Sequence, residues 1–436
     1  MIRALAAASL THAPPVGRAF VRPLVMALVV AGLAASLVAT VAMQGPRMAL
    51  AGGGVWEDLA EGPRPGLYYA AHALRIIALG GAGLLALAVR FRRLPTALVA
   101  WFLVLVGAGL LLAVRGLETA DFLSSRVLGA TGPWVAFTSL LLFASARADV
   151  LPAIGRVVDL LAAALTALVA WEALHLRTFL RQETVAAMGG YLNALYFPAA
   201  WLLLRPHAPG SASRWLRWVP VITYAAGSVL VQTRLNLVML VLLLLAEALV
   251  SARRAGRPVA RVLETAAVAA LLVGAAAWLA GGTRFARVFE LSALGLAERM
   301  GEDSRTGQIA AFLADVPVSD LLLGRGARAT WNWPGMSPRW AGGTDVGYLS
   351  LLFFGGVPLL VAWCVVHLGP PLGVLRSGDT GARLACAAIS LLWGVRMFSS
   401  SFPSMALDYE VVLLCVGACA APSRSALPSP RAPRVR

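Results

Sequence analysis

A chain of 436 residues that is 59% hydrophobic and only 13% charged falls outside the range of soluble domains, which run near ~45–50% apolar and ~25% charged. Its net charge is +16 and all 37 basic residues are Arg. These lie mostly between apolar runs, so membrane topology and anionic lipid account for the charge better than nucleic acid does.

Repeated apolar runs near the ~20-residue bilayer length predict an all-α polytopic membrane protein of about 12 transmembrane helices. One large extracytoplasmic loop lies between spans 9 and 10. The expected divisions are spans 1–9 in residues 1–281, the loop in 282–345, spans 10–12 in 346–421, and a disordered basic tail in 422–436.

In chain order, Arg3, Arg18 and Arg22 precede span 1, Pro23–Met43, a run long for a cleaved signal peptide and without a clear cleavage site. Gln44–Pro65 is an outside loop. Span 2 is about Leu67–Val89, followed by Arg90, Arg92 and Arg93 inside. Spans 3 and 4, about Leu94–Val114 and Leu128–Ala144, flank an outside loop. Span 5, Val157–Leu174, follows an inside loop from Arg147 to Arg156. Span 6 is about Val185–Leu204. Spans 7 and 8, Trp218–Val231 and Leu235–Val250, meet at a tight outer turn. Span 9 is Val262–Ala280. After the loop come span 10 from near Val346 to His367, span 11 at Leu384–Met397 and span 12 at Ala406–Ala421. Arg clusters fall on alternate sides, so both termini are expected in the cytoplasm of an inner-membrane protein and the large loop outside. No fixed-period repeat and no pair of interrupted helices of the transporter kind is evident.

Ionisable groups at membrane depth are costly and therefore functional candidates. His72 and Arg75 sit one turn apart in span 2; Asp159, Glu247 and Glu264 lie in spans 5, 8 and 9. Glu247 and Glu264 are near the inner end, where snorkelling is the plain alternative. Arg234, at the outer turn Gln232-Thr233-Arg234, either reaches headgroups or faces whatever lies above the bundle. Arg396 is placed similarly at the outer end of span 11. The four cysteines, Cys364, Cys386, Cys415 and Cys419, fall in apolar runs. Cys415 and Cys419 share a helix face, but two thiols do not close a zinc site and buried Cys acts as a small hydrophobe. Neither a metal nor a cofactor is expected.

Loops on a rigid scaffold carry function, and Ser304–Tyr348 is the only long polar stretch. Before it, Phe285, Val288, Phe289 and Leu296 share one helical face, interrupted by Ser292, and suggest a surface helix. Gly301 ends it, and Asp303 or Ser304 can cap the next. There Ile309, Phe312 and Leu313 face one way, Arg305 lies on the first turn, and Pro317 stops the helix. A cation on a first turn is not placed for dipole stabilisation; pairing with an anion is an alternative. Gly324-Arg325-Gly326 is a backbone nest or only a turn. Trp331, Trp333 and Trp340 either stack on sugars or form an interfacial belt.

Three stretches together resemble the O-antigen ligase and polymerase family. Thr233-Arg234-Leu235-Asn236-Leu237 resembles the family's Ser/Thr-Arg outer turn. SRTGQIAAFLADVPVSDLLLGRGARA, Ser304–Ala329, resembles its Arg-led helix followed by a Pro-Leu-X-Gly-X-Gly turn. DVGYLSLLFFGGVPLLV, Asp345–Val361, resembles the start of the span after its large loop. The resemblance covers roughly Trp218–Val366.

The family's members are metal-independent glycosyltransferases that take a glycan from undecaprenyl pyrophosphate and pass it to a hydroxyl on another glycan. The resemblance implies that Arg234 and Arg305 stabilise the diphosphate leaving group, as arginine forks do. Asp345, where ligases of the family usually carry His, is then a base, an acceptor-orienting group or an N-cap of span 10. Arg181, Arg75, Arg325, Arg396, Trp331, Trp333 and Tyr348 are further candidates for substrate binding. The expected partners are an undecaprenyl-pyrophosphate-linked glycan donor, a glycan acceptor, membrane lipids and a chain-length regulator, with no nucleic acid. Asp in place of His favours a polymerase of repeat units making O-antigen or exopolysaccharide; a ligase to lipid A–core or protein is the alternative. A transporter or flippase is the competing class.

Overall fold

The computed structural model describes residues 15–49, 66–90, 95–114, 138–146, 150–175, 182–206, 216–231, 233–255, 304–326, 331, 346–398 and 406–421. Among them there is no strand. The helices are α1 Pro15–Ala49, α2 Gly66–Arg90, α3 Thr96–Val114, α4 Leu142–Ser145 behind a 3₁₀ turn at Ser139–Leu141, α5 Leu151–His175, α6 Gln182–Leu204, α7 Trp218–Leu230 and α8 Arg234–Ala255. After these come α9 Ser304–Asp315, α10 Val318–Leu323, α11 Gly347–Arg376, α12 Ala382–Arg396 and α13 Leu407–Ala420.

Helices stand where spans 1 to 3, 5 to 8 and 10 to 12 are expected. Span 9, the start of span 4 and the expected surface helix around Phe285–Leu296 lie outside the described residues. Among the described residues, five segments are long and apolar enough to cross a membrane: Val21–Ala42, Gly66–Val89, Leu151–Ala173, Leu235–Arg254 and Gly347–Arg376. Large aliphatic side chains stay exposed along them, such as Ile77, Leu160, Val241 and Leu249. This is the surface that lipid covers, and the molecule is an all-α multi-pass membrane protein.

The helix faces follow from the 3.6-residue repeat. In α1, Val25, Val29, Leu33 and Ser36 are buried; in α2, Tyr68, His72, Arg75, Leu79 and Ala82 are. The two faces meet, with the Leu79 side chain lying in the space left by Gly32. Helix α5 begins at Leu151, six residues ahead of the hydropathy boundary, because Pro152 sits in the first turn, where no amide donor is required. The expected inner loop is therefore partly helix, and Arg156 lies exposed on it.

The core is centred on α13. Every residue from Leu407 to Ala420 is buried, and the helix packs against α1, α4, α6, α11 and α12. At its far end, arginines cap carbonyls that helix C-termini leave unsatisfied and carbonyls of the turn that leads into α12. Arg254 donates to Leu204, Thr380 and Gly381 oxygens at 2.6, 2.9 and 3.1 Å. Arg253 donates to Leu375 O at 2.7 Å and Arg383 to Cys419 O at 2.9 Å. The acids of this end are paired too: Asp159 with Arg205 at 2.5 Å and Glu247 with Arg217 at 3.2 Å. Glu247 is only 3% exposed, so it is held by an ion pair inside the bundle rather than reaching out of it. Glu264 lies outside the described residues.

Helix α11 breaks at Gly356, whose φ of 71° and ψ of −172° are not helical. In a straight helix the Cα atoms of Tyr348 and Trp363 would stand about 22 Å apart; the break brings their rings to 5.9 Å. Gly355-Gly356-Val357-Pro358 is thus a sharp bend where the hydropathy pattern reads as a plain span.

Candidate functional site

The end of the bundle opposite the arginine caps gathers the start of α2, the starts of α8 and α11, the end of α12 and the start of α13. Gly347 N donates to Met397 O at 2.8 Å, tying α11 to the end of α12. Helix α8 has its last turn among the arginine caps, so its first residue, Arg234, stands about 33 Å away at this end.

The first turn of α13 carries three polar side chains in succession. Neighbours on a helix project about 100° apart, so Asp408, Tyr409 and Glu410 reach out in three directions, to four other helices. Asp408 Oδ2 accepts from Arg396 Nη1 at 3.1 Å, and Asp408 Oδ1 caps the Tyr409 amide at 2.8 Å. Arg396 Nη2 donates to Asn193 Oδ1 of α6 at 3.2 Å. The guanidinium lies near the Phe197 and Trp393 rings, 5.7 and 5.5 Å from their centroids, within cation–π range.

Tyr409 meets His367 of α11. His367 Nδ1 lies 2.9 Å from Trp363 O, an acceptor, so in the neutral ring Nδ1 carries the hydrogen and Nε2 accepts from the Tyr409 hydroxyl at 2.8 Å. Trp363 Nε1 donates to the same hydroxyl oxygen at 3.2 Å. Glu410 turns to α1 and α2. Ser36 donates to Glu410 Oε2, and Arg75 Nε stands 3.5 Å from Glu410 Oε1. Arg75 Nη2 donates to His72 Nδ1 at 2.6 Å, and Tyr68 stacks on the His72 ring.

Arg75 is 3% exposed and Arg396 7%. Each already has a carboxylate, and two acids placed in a first turn also suit the helix dipole. These partners, Asp408 and Glu410, were not singled out by sequence. The signal available was two acids, two residues apart, entering an apolar run just after a span that ends in Arg.

A second constellation joins the loop to α11. Gly324, with φ 74°, packs on Gly356, with φ 71°. A Cβ on Gly324 would meet the Phe354 oxygen and the Gly355 carbonyl carbon, and one on Gly356 would meet the Leu322 oxygen and the Leu323 carbonyl carbon. The break at Gly356 and the missing amide of Pro358 leave carbonyls of α11 without their helical donors. The loop supplies them: Arg325 N donates to Phe353 O at 2.8 Å and Gly326 N to Phe354 O at 2.9 Å. The amides of Arg325 and Gly326 thus complete α11, and that of Gly324 closes α10 on Asp320 O at 2.8 Å, instead of the three forming an open nest.

Helix α9 buries Gln308, Phe312 and Val316, one face at i, i+4, i+8, while Leu313 turns outward at 55% exposure rather than sharing the buried face with Phe312. Phe312 meets Trp331 and Phe353 edge to face, at 5.2 and 5.6 Å. Trp331 is buried, and its Nε1 donates to Asp315 at 3.3 Å, so it is part of the loop's packing. Arg325 is exposed and paired with Asp320 at 2.7 Å. Tyr348 donates to Gly394 O at 2.7 Å and its ring packs on Phe398.

The structure therefore gathers Arg75, Arg396 and Tyr348 at the end of the bundle toward which α8 begins, with α10 latched onto α11 at Phe353, Phe354 and Gly356. Arg325 instead pairs with Asp320 and lies over the Phe353 ring, 5.6 Å from its centroid. Arg305 lies on the first turn of α9; its side chain and that of Arg234 lie outside what the structure describes, as do Arg181, Trp333, Trp340 and Asp345. Compared with protein-family models, curated proteins and solved structures, the chain matches none.

Proposed function

We propose that the chain is a membrane glycosyltransferase that polymerises undecaprenyl-pyrophosphate-linked repeat units at the outer face of the inner membrane. The reading takes the chain as twelve spans with both termini in the cytoplasm and the loop outside. One observation carries it. The stretches Ser304–Ala329 and Asp345–Val361, which bear two of the three motif resemblances, are latched together by the Arg325 and Gly326 amides on the Phe353 and Phe354 carbonyls. The third resembling turn, at Arg234, opens the helix whose start lies at the same end of the bundle.

In this reading the bond between the anomeric carbon and the diphosphate oxygen breaks, and undecaprenyl diphosphate leaves with the electron pair. The acceptor hydroxyl forms the new glycosidic bond and its proton passes to a base. Arg75, Arg396 and Arg325 already hold carboxylates, so the growing diphosphate charge falls to the guanidinium groups of Arg234 and Arg305. Asp345, next to the start of α11, receives the proton or orients the acceptor. The buried pairs below keep the helix ends in register for both.

The test is a glycan ladder made by purified protein in lipid, supplied only with the host's undecaprenyl-pyrophosphate-linked repeat unit. We expect a ladder, reduced by about 10²-fold or more in Arg305→Ala, the usual scale for removing a pre-placed donor to developing charge. No ladder from folded protein overturns the polymerase. Product formed only when lipid A–core is added makes the chain a ligase.

A further inference from the structure

The loop also presents an apolar surface that the described bundle does not cover. Val318, Leu322 and Leu323 of α10 are 72%, 54% and 57% exposed, and Leu313 of α9 joins them. These are large aliphatic side chains on a helix of six residues, too many for an element that simply faces water.

The height of α10 is set by the latch. Its C-terminal turn packs on Gly356, at the break in α11. From that break to Arg376 the chain runs roughly 20 helical residues, about 30 Å, which matches one hydrocarbon thickness. With Arg376 at one boundary, the break stands at the other. Val357 and Val361, exposed just below the break, continue the apolar strip down α11 onto its lipid-facing flank. Polar groups sit at the rim of α10: Asp320 paired with Arg325, and exposed Asp315. Irregular backbone at membrane depth must have its polar groups satisfied by protein, and the amides of Arg325 and Gly326 are.

We infer that the α9–α10 corner is a membrane-interface anchor. Leu313, Val318, Leu322 and Leu323 insert among the lipid chains just under the headgroups of the bilayer that the bundle crosses, and they hold the first turn of α9 at a fixed height. The occupant of this surface is lipid rather than a second protein, because the strip is continuous with the lipid-facing flank of α11. The anchor does not depend on which reaction the loop performs.

The test uses the full chain with Cys364→Ala, the half-buried thiol removed. A fluorophore is placed in turn at Val318→Cys, Leu322→Cys and, as a mid-span reference, Leu245→Cys. In nanodiscs of phosphatidylcholine and phosphatidylglycerol, labels at 318 and 322 should be quenched at least about threefold more by lipids spin-labelled near the headgroup than by lipids labelled deep in the chain, as interfacial depth requires. The label at 245 should show the reverse order. Strong quenching by aqueous iodide at 318 and 322, with none by either lipid, overturns the anchor in favour of a water-facing loop. Protection from both quenchers that is lost on dilution to one protein per disc overturns it in favour of a second copy.

Discussion

Glu410 and Arg75 show what a buried charge requires of its neighbours. Both side chains are almost wholly inside, at 1% and 4% exposure, and each is the other's counter-charge, with Ser36 and His72 as neutral partners beside them. Removing one partner from such a pair typically costs about 3–5 kcal/mol, whereas replacing both by apolar groups of similar size is often close to neutral. Glu410→Gln should therefore lower the thermal midpoint in detergent by several degrees, and Arg75→Met/Glu410→Leu should recover most of it. A double variant as unstable as the sum of the singles would show that the two groups act independently. Arg75 was legible in the sequence as a cation at membrane depth. Its carboxylate was not, since the pairing joins the first helical hairpin to the final described helix and no local spacing records it. The same holds for Arg396, where Asp408 reads locally as an interfacial acid.

At the scale of elements, the latch between the loop and α11 makes two glycines behave differently from a third. Gly324→Ala would place a methyl group against the backbone of Phe354 and Gly355 at a positive φ, strain for which no side-chain rotation compensates. We expect faster proteolytic cutting within 327–345, about tenfold or more, with the thermal midpoint of the bundle little changed. Gly307, exposed inside α9, has no such role, and Gly307→Ala should slow cutting slightly, by up to about 1 kcal/mol of added helix stability. Equal effects of the two substitutions would remove the latch from the account. Hydropathy placed these helices well, because burial in a bilayer demands long apolar runs. It missed the break in α11, where Gly-Gly-Val-Pro is apolar enough to pass for continuous helix and only the incoming loop amides make the bend affordable. The early start of α5 was missed for a related reason: Arg156 ended the apolar count, while Pro152 was free to begin the helix.

For the whole molecule, the order of elements along the chain and their order from centre to surface disagree. Helix α13, among the last described residues, is the most enclosed, and α1, α4, α6, α11 and α12 supply its walls. A chain that stops after Arg396 should therefore fail to yield folded, monodisperse protein in detergent, while one that stops after Ala421 should match the full chain in yield and thermal midpoint. A stable bundle from the shorter chain would show that α13 is filler rather than centre. Nothing in the hydropathy distinguishes this span from its neighbours. What marks it as central is the Asp-Tyr-Glu turn, and that is readable only once its partners are in place.

This arrangement has a consequence for biosynthesis. During translation Arg75 enters the membrane long before Glu410, the carboxylate that neutralises it, so the growing protein passes through a stage in which a cation awaits its counterion. Water, lipid phosphate or the insertion machinery must hold that cation meanwhile. The arrival of α13 then releases it, pairs Arg396 with Asp408 as the two enter almost together, and closes the helices around itself. The insertion of α13 thus doubles as a proofreading step: a ribosome that falls off before that point leaves behind a product with uncompensated charge in its interior, the kind of lesion that membrane quality-control proteases can recognise.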